Sequence, residues 1–204
     1  MNIFPKLNGS WAKVNLDKES RELALDYANP LVCAKWVNGI HAKLGVAYSF
    51  GGFLEDRSNI WRNTYLKETK SFMHLGIDYN VPAGTSVALP IDAKVCEIVR
   101  SKDANGGWGG AIKFNIADSD VFFILAHLEH NIKLGKGDFC RTGEIIGRTG
   151  ESSENGGWYP HLHAQFFTKK FDDAFGGAFS KLDGYLPKGS ELIKQVINPK
   201  NYIK

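Results

Sequence analysis

The sequence predicts a mainly β protein, an antiparallel sheet or sandwich-like arrangement, carrying a helical extension at its N-terminus. Three observations lead there. Apolar residues between Asp17 and Leu44 recur at roughly helical spacing, whereas beyond Gly45 they gather in short runs parted by Gly, Asn and Asp. Most of the 22 glycines fall in that second part, where tight turns need them. At 204 residues the chain can bury one hydrophobic core and is short for two full domains. The expected division is therefore a helical segment over 1–50 and one folded β domain over 51–204.

The N-terminal stripe consists of Leu23, Leu25, Tyr27, Leu31, Val32, Trp36, Ile40 and Leu44, and Asn29-Pro30 interrupts it, which predicts two short helices with a break between them. The runs Thr85 to Leu89, Lys94 to Val99, Ala111 to Ile116 and Val121 to Leu128 read as strands. Lys102 to Gly107 links two of them as a hairpin loop, and Leu134 to Asp138 is another turn. His161 to Phe167 is a further strand. Ser190 to Val196 reads as a short helix, stopped by Asn198-Pro199 and followed by an apolar contact through Tyr202 and Ile203.

Composition excludes several classes. Hydrophobic residues at 43% and charged residues at 23% are ordinary for a globular protein and unlike a disordered or membrane chain. Lys and Arg number 25 against 22 Asp and Glu, and with no basic run to concentrate the net charge of +3, nucleic acid is not implied. Cys33, Cys96 and Cys140 stand in no C-x-x-C spacing and read as free thiols. The first twenty residues lack the apolar core of a secretory signal, and no stretch is long and apolar enough to span a membrane. Taken alone this points to the cytoplasm, with an extracellular or periplasmic site the alternative if an export segment precedes the chain or export takes an unusual route.

Five of the six histidines, His74, His127, His130, His161 and His163, fall in the β part. In a strand, His161 and His163 project from the same face with their Cα atoms about 7 Å apart, so they can share one site. His74 precedes Asp78 by four residues, roughly 13 Å if extended, so sharing a metal requires a bend, which Gly76 can supply. Two histidines and a carboxylate, with a fourth position left for water, are the ligand composition of a catalytic zinc. Each pair also occurs by chance in chains of this length, and His127 alone reads as a strand-end imidazole satisfied by a backbone carbonyl. His130 and His41 read as surface or structural residues.

With His74, Asp78, His127, His161 and His163 in this order, the chain resembles the lysostaphin/LytM-type zinc endopeptidases. The segments that carry the resemblance are H-L-G-I-D, V-P-A-G-T-S-V-A-L-P, I-L-A-H-L, G-K-G-D-F-C-R-T-G-E-I-I-G-R-T-G, P-H-L-H-A-Q-F and the final N-P-K-N-Y-I. It covers Gly51 to Ile203. It implies a small, mostly antiparallel β domain with one zinc per chain in an open groove, held by His74, Asp78 and His163. His127 and His161 then match the two non-ligating active-site histidines. Two stretches depart from the family: Gly150 to Tyr159 is longer and bulkier, and G-G-F-L-E-D-R is only loosely similar to the family's F-G-x-R.

The expected chemistry is hydrolysis of a peptide bond, in peptidoglycan cross-links or a related short peptide. Zinc polarises the carbonyl and acidifies its water. No H-E-x-x-H provides a glutamate, so His127 or His161 moves the proton and the other stabilises the oxyanion, and the sequence does not say which. Trp108, Trp158 and Tyr159 either line the groove or are ordinary loop aromatics. Two other classes remain. One is a zinc or glycopeptide-binding module of the same fold that cuts nothing. The other is a phospho-histidine carrier, since H-L-G-I-D-Y-N-V is also similar to the glucose-type phosphocarrier domains.

Overall fold

The structure is a computed structural model describing residues 2–19, 28–102 and 106–204. The first expected helix and the tip of the Lys102 to Gly107 loop fall largely outside these residues. Strand β1 (Trp11–Lys13) is followed by helix α1 (Pro30–Leu44) and strand β2 (Tyr48–Gly51). Asn29-Pro30 is the start of α1. The Asn29 side chain accepts from the Leu31 N–H at 3.0 Å, and proline takes the first helical position, where a missing N–H leaves no bond unmade. Gly45 closes the helix in the left-handed conformation. β1 and β2 pair in parallel, which requires a crossover, and α1 provides it. The first fifty residues thus hold strand as well as helix, and Ile3 and Phe4 are buried in the main core.

Next in order come α2 (Ser58–Trp61), β3 (Ser71–His74), β4 (Ile77–Asn80), β5 (Ser86–Ala88), β6 (Ala93–Arg100), β7 (Gly110–Ile116) and β8 (Val121–Leu128). They are followed by β9 (Phe139–Cys140), β10 (Ile145–Arg148), β11 (Leu162–Thr168), α3 (Lys169–Ala174), β12 (Tyr185–Pro187) and β13 (Val196–Ile197). Every run expected as a strand contains one. Among the described residues the main sheet has nine strands in the order β1-β2-β4-β11-β8-β7-β6-β9, with β13 also against β11, and every pair except β1–β2 is antiparallel. β3 pairs with β12 and β5 with β10 in two small separate sheets.

The main sheet is covered on both faces, which is why its central strands read as nearly unbroken apolar runs. In β8, Phe123 and Leu125 enter one core with Phe114, Leu162, Ala164 and Phe166, while Ile124 and Ala126 face the opposite core beneath α3, with Phe167 and Phe171. The expected helix over Ser190 to Val196 is only a 3-10 turn, Glu191–Gln195. The β-branched Val196 and Ile197 pair with β11 instead. Tyr202 stacks on Phe166 at 4.7 Å and Ile203 is buried. All three cysteines are free. Among the described residues no helix is long and apolar enough to cross a membrane.

Candidate metal centre and active site

The H-L-G-I-D segment passes from one sheet to another. His74 ends β3 in the small sheet, Asp78 lies within β4 of the main sheet, and Leu75 and Gly76 carry the chain between them. This crossing brings His74 Nε2 to 3.4 Å from Asp78 Oδ1. Gly76 has a second job. A Cβ there would stand 2.6 Å from both the His163 ring and the Ala164 carbonyl, so only glycine lets the imidazole lie against the backbone.

Strand register brings in the third residue. β11 pairs antiparallel with β4, and His163 stands directly opposite Asp78. Alternation along β11 sends Leu162, Ala164 and Phe166 into one core, leaving His163 and Gln165 on the other face. His163 Nδ1 is 3.0 Å from Asp78 Oδ1 and 3.1 Å from His74 Nε2.

The outer ring nitrogens fix the tautomers. His74 Nδ1 donates to the Gly52 carbonyl at 2.8 Å, and His163 Nε2 donates to Gln165 Oε1 at 3.1 Å. Two imidazole lone pairs and a carboxylate oxygen therefore face one another with no proton between them, an arrangement that is repulsive unless a cation sits among them. Their separations of 3.0, 3.1 and 3.4 Å match the edge of about 3.3 Å expected of a tetrahedron with metal–nitrogen bonds of about 2.0 Å. The donor set fits a divalent metal ion.

Charge and burial reinforce this. Burial, aided by the Arg57 cation, drives His74 down to about 4, so it is neutral and able to ligate at neutral pH. Burial opposes ionisation of Asp78, yet His74 and Arg57 hold its carboxyl well below the usual range. Arg57 is 1% exposed and donates to Asp78 Oδ2 at 2.7 Å, leaving Oδ1 for the cluster. Its other nitrogens reach Glu55 Oε2 at 3.3 Å.

His127 and His161 lie beside the cluster, their ring centroids 4.2 Å apart. His161 Nδ1 donates to the Tyr159 carbonyl at 2.6 Å, so Nε2 carries the lone pair and lies 3.8 Å from Asp78 Oδ1. His127 reaches this face through a bulge. The β7–β8 register shifts between Gly110 and Ala111, His127 takes φ 64°, and the alternation slips by one residue, so that Leu128 returns to the core shared with Leu125. His127 Nδ1 is buried with no hydrogen-bond partner among the described residues, although the Asn155 backbone acts on the imidazole. Burial above all holds both imidazoles below their ordinary pKa, and for His127 the neighbouring His161 adds to it.

These residues form the floor of a groove of about 560 Å³ whose walls include Trp61, Tyr65, Trp108, Trp158, Asp183 and Tyr185. Trp108 packs on His163 at 5.6 Å and Trp158 on His161 at 5.3 Å. Tyr159 is turned away, its hydroxyl 3.5 Å from Asn38. Gln165, Asp183 and Tyr185 were not singled out from the sequence, and Arg57 appeared only as the arginine of G-G-F-L-E-D-R, loosely similar to the family's F-G-x-R. For Gln165 the available signal was alternation, which places it on the face of His163.

The sequence profile of peptidase family M23 matches residues 72–173, half of the chain. The chain belongs to peptidase family M23. All five expected site residues lie inside the matched span of this M23 chain, whereas Arg57 and Asp183 lie outside it. It is 35% identical over 91 residues to the DD-carboxypeptidase/endopeptidase Mpg of Neisseria meningitidis serogroup B, and equally to that of Neisseria gonorrhoeae. That alignment covers 45% of this chain and only 19% of either relative. The catalytic domain of the antimicrobial peptidase lysostaphin from Staphylococcus simulans superposes with a TM-score of 0.50 at 24% identity, covering 83% of this chain and 96% of that one. The M23 chain thus has the expected lysostaphin-type fold, and its family supports a peptidase role.

Proposed function

We propose that this chain is a zinc-dependent peptidase that hydrolyses a peptide bond in peptidoglycan stem peptides or their cross-links. His74 Nε2, Asp78 Oδ1 and His163 Nδ1 hold the metal, with His161 and His127 as the catalytic pair. The observation that carries the reading is the convergence of three lone-pair atoms whose outer nitrogens are locked by Gly52 and Gln165. Zinc bound there supplies Lewis acidity for the scissile carbonyl and acidifies water at neutral pH. The substrate class is argued from the relatives, which are named as a DD-carboxypeptidase/endopeptidase and an antimicrobial peptidase.

The proton roles follow from hydrogen bonding. His161 Nε2 carries the lone pair and faces the cluster, so it accepts the proton as general base, and the Tyr159 carbonyl steadies the imidazolium that forms. His127 has a buried nitrogen without a partner, suited to a group that substrate brings, and it stabilises the oxyanion. A module that only binds has no use for either feature. A phospho-histidine carrier fits worse still, because His74 is 1% exposed, its Nδ1 is held by the Gly52 carbonyl and its Nε2 faces inward to Asp78 and His163.

Elemental analysis of the wild type and of His74→Ala, Asp78→Ala and His163→Ala, alongside muropeptide digestion with mass detection of products, tests the reading. It expects one zinc per chain, lost in the three variants. His161→Ala should keep the zinc and lose activity by about 10²-fold to 10⁴-fold. Full zinc in the wild type without cleavage of any peptide would favour the binding module, and no zinc would refute the proposal.

A further inference from the structure

Among the described residues two carboxylates line the groove, Asp78 and Asp183. Asp78 is committed on both oxygens, to Arg57 and to the metal cluster. Asp183 accepts hydrogen bonds from the Gly184 and Tyr185 amides and the Tyr65 hydroxyl, but no lysine or arginine among the described residues forms an ion pair with it. Among the described residues, the one lysine or arginine on the groove wall is Arg57, and it is spent on Asp78 and Glu55. We infer that Asp183 is a specificity-determining residue that pairs with a free aliphatic ammonium group carried by the peptide substrate near the bond to be cut. The inference rests on the peptidase reading above.

The wall that carries Asp183 is fixed to the metal centre. Trp108 Nε1 donates to the Leu182 carbonyl at 3.1 Å, and the Leu75 N–H donates to the Gly184 carbonyl at 2.9 Å. The Tyr185 hydroxyl accepts from Trp61 Nε1 at 2.7 Å and from Arg57 at 3.3 Å. Gly184, the next residue, packs on the His163 ring, with room for a Cβ at only 3.5 Å. A carboxylate on such a wall is held in one place relative to the reacting bond, as a specificity contact requires.

Its surroundings suit an alkylammonium ion. The Tyr65 hydroxyl lies 3.4 Å from Asp183 Oδ2, and Trp108 stands beside Gly184. A negative charge flanked by aromatic rings offers ion pairing and cation–π contact together. Burial also pushes the Asp183 carboxyl up to about 6, against the opposing pull of the Gly184 and Tyr185 amides. The group is ionised at neutral pH and hydrogen-bonded by neutral donors alone, and an arriving cation supplies the charge partner it lacks.

The test uses zinc-loaded enzyme and muropeptides with a free side-chain amine, compared with the same muropeptides after N-acetylation. kcat/KM is measured on both for the wild type and for Asp183→Asn, which keeps the size and hydrogen-bonding shape of the side chain. The wild type should favour the free amine by about tenfold or more, the scale of one charge-assisted hydrogen bond. In Asp183→Asn that ratio should fall close to unity, through loss on the free-amine peptide. A wild type indifferent to acetylation, or an asparagine variant with the full preference, overturns the inference and leaves the peptidase reading intact. If zinc-loaded wild type cleaves neither form, the peptidase reading fails and the inference fails with it.

Discussion

The low pKa of His74 makes the stability of the metal-free protein depend on pH in a way that one substitution isolates. The folded-state value is about 4, against about 6.5 in the unfolded chain. As pH falls, the unfolded chain therefore takes up this proton first. The contribution of the neutral, buried imidazole is complete above about pH 6.5 and is lost on descending toward about pH 4. The total is about 3 kcal/mol, of which about 2 kcal/mol disappears between about pH 7 and about pH 5. Urea unfolding of protein stripped with a chelator, at those two pH values, measures the loss. His74→Gln, which cannot titrate, should lose about 2 kcal/mol less than the wild type over that interval. His127 and His161 are shifted in the same direction, but they are present in both proteins and cancel in the difference to a first approximation. Equal losses in the two proteins would refute the assignment of His74 as a neutral, buried lone-pair donor.

Three further outcomes follow from the site's supports. Gly76→Ala sets a Cβ 2.6 Å from the His163 ring and from a backbone carbonyl that cannot step aside, so it should cost about 1–3 kcal/mol by thermal unfolding and weaken zinc binding in a competition titration. Gln165→Leu removes the acceptor that orients His163 Nε2–H. Zinc affinity should fall about 10-fold to 100-fold, and Gln165→Glu, which still accepts, should recover most of it. Arg57→Met strands the Asp78 and Glu55 carboxylates without their buried cation, and chemical unfolding should show a loss of about 3–5 kcal/mol. An unchanged midpoint would mean that water or relaxation already satisfies both acids.

The legible parts of this protein were those where chemistry follows the period of the backbone. His163 and Asp78 sit on regular strands, β11 and β4, and strand alternation is enough to put His163 on one face with Gln165. The runs that became β5 to β8 stood out because sheets covered on both faces need continuous apolar residues. The tail was misread because Ser190 to Val196 has a capping serine but only one 3-10 turn to cap, while its β-branched end had a strand edge to join. Arg57 lies on the loop just before α2, in a stretch only loosely similar to the family's F-G-x-R, and nothing in that pattern names a carboxylate 21 residues away as its buried partner.

The site is assembled where strand regularity breaks, at Gly76, where a bend was expected, and at His127, where none was. A regular strand presents a residue every second position at fixed separation, so it cannot by itself gather His74, Asp78, His127 and His163 around one point. Each gathering step is a break in regularity: Leu75 and Gly76 change sheets, and the bulge at His127 slips the alternation of β8 by one residue. Such breaks are paid for in backbone conformation, His127 holding a left-handed φ of 64° that costs a non-glycine residue about 1–2 kcal/mol. That cost points to His127 as a residue held in place for its imidazole. His127→Gly should relax the backbone while abolishing turnover, and unfolding measurements should find the folded domain little weakened, or even stabilised, beside the inactive site. A His127→Gly protein that unfolded more easily by several kcal/mol would instead mean that the imidazole itself holds the two cores together.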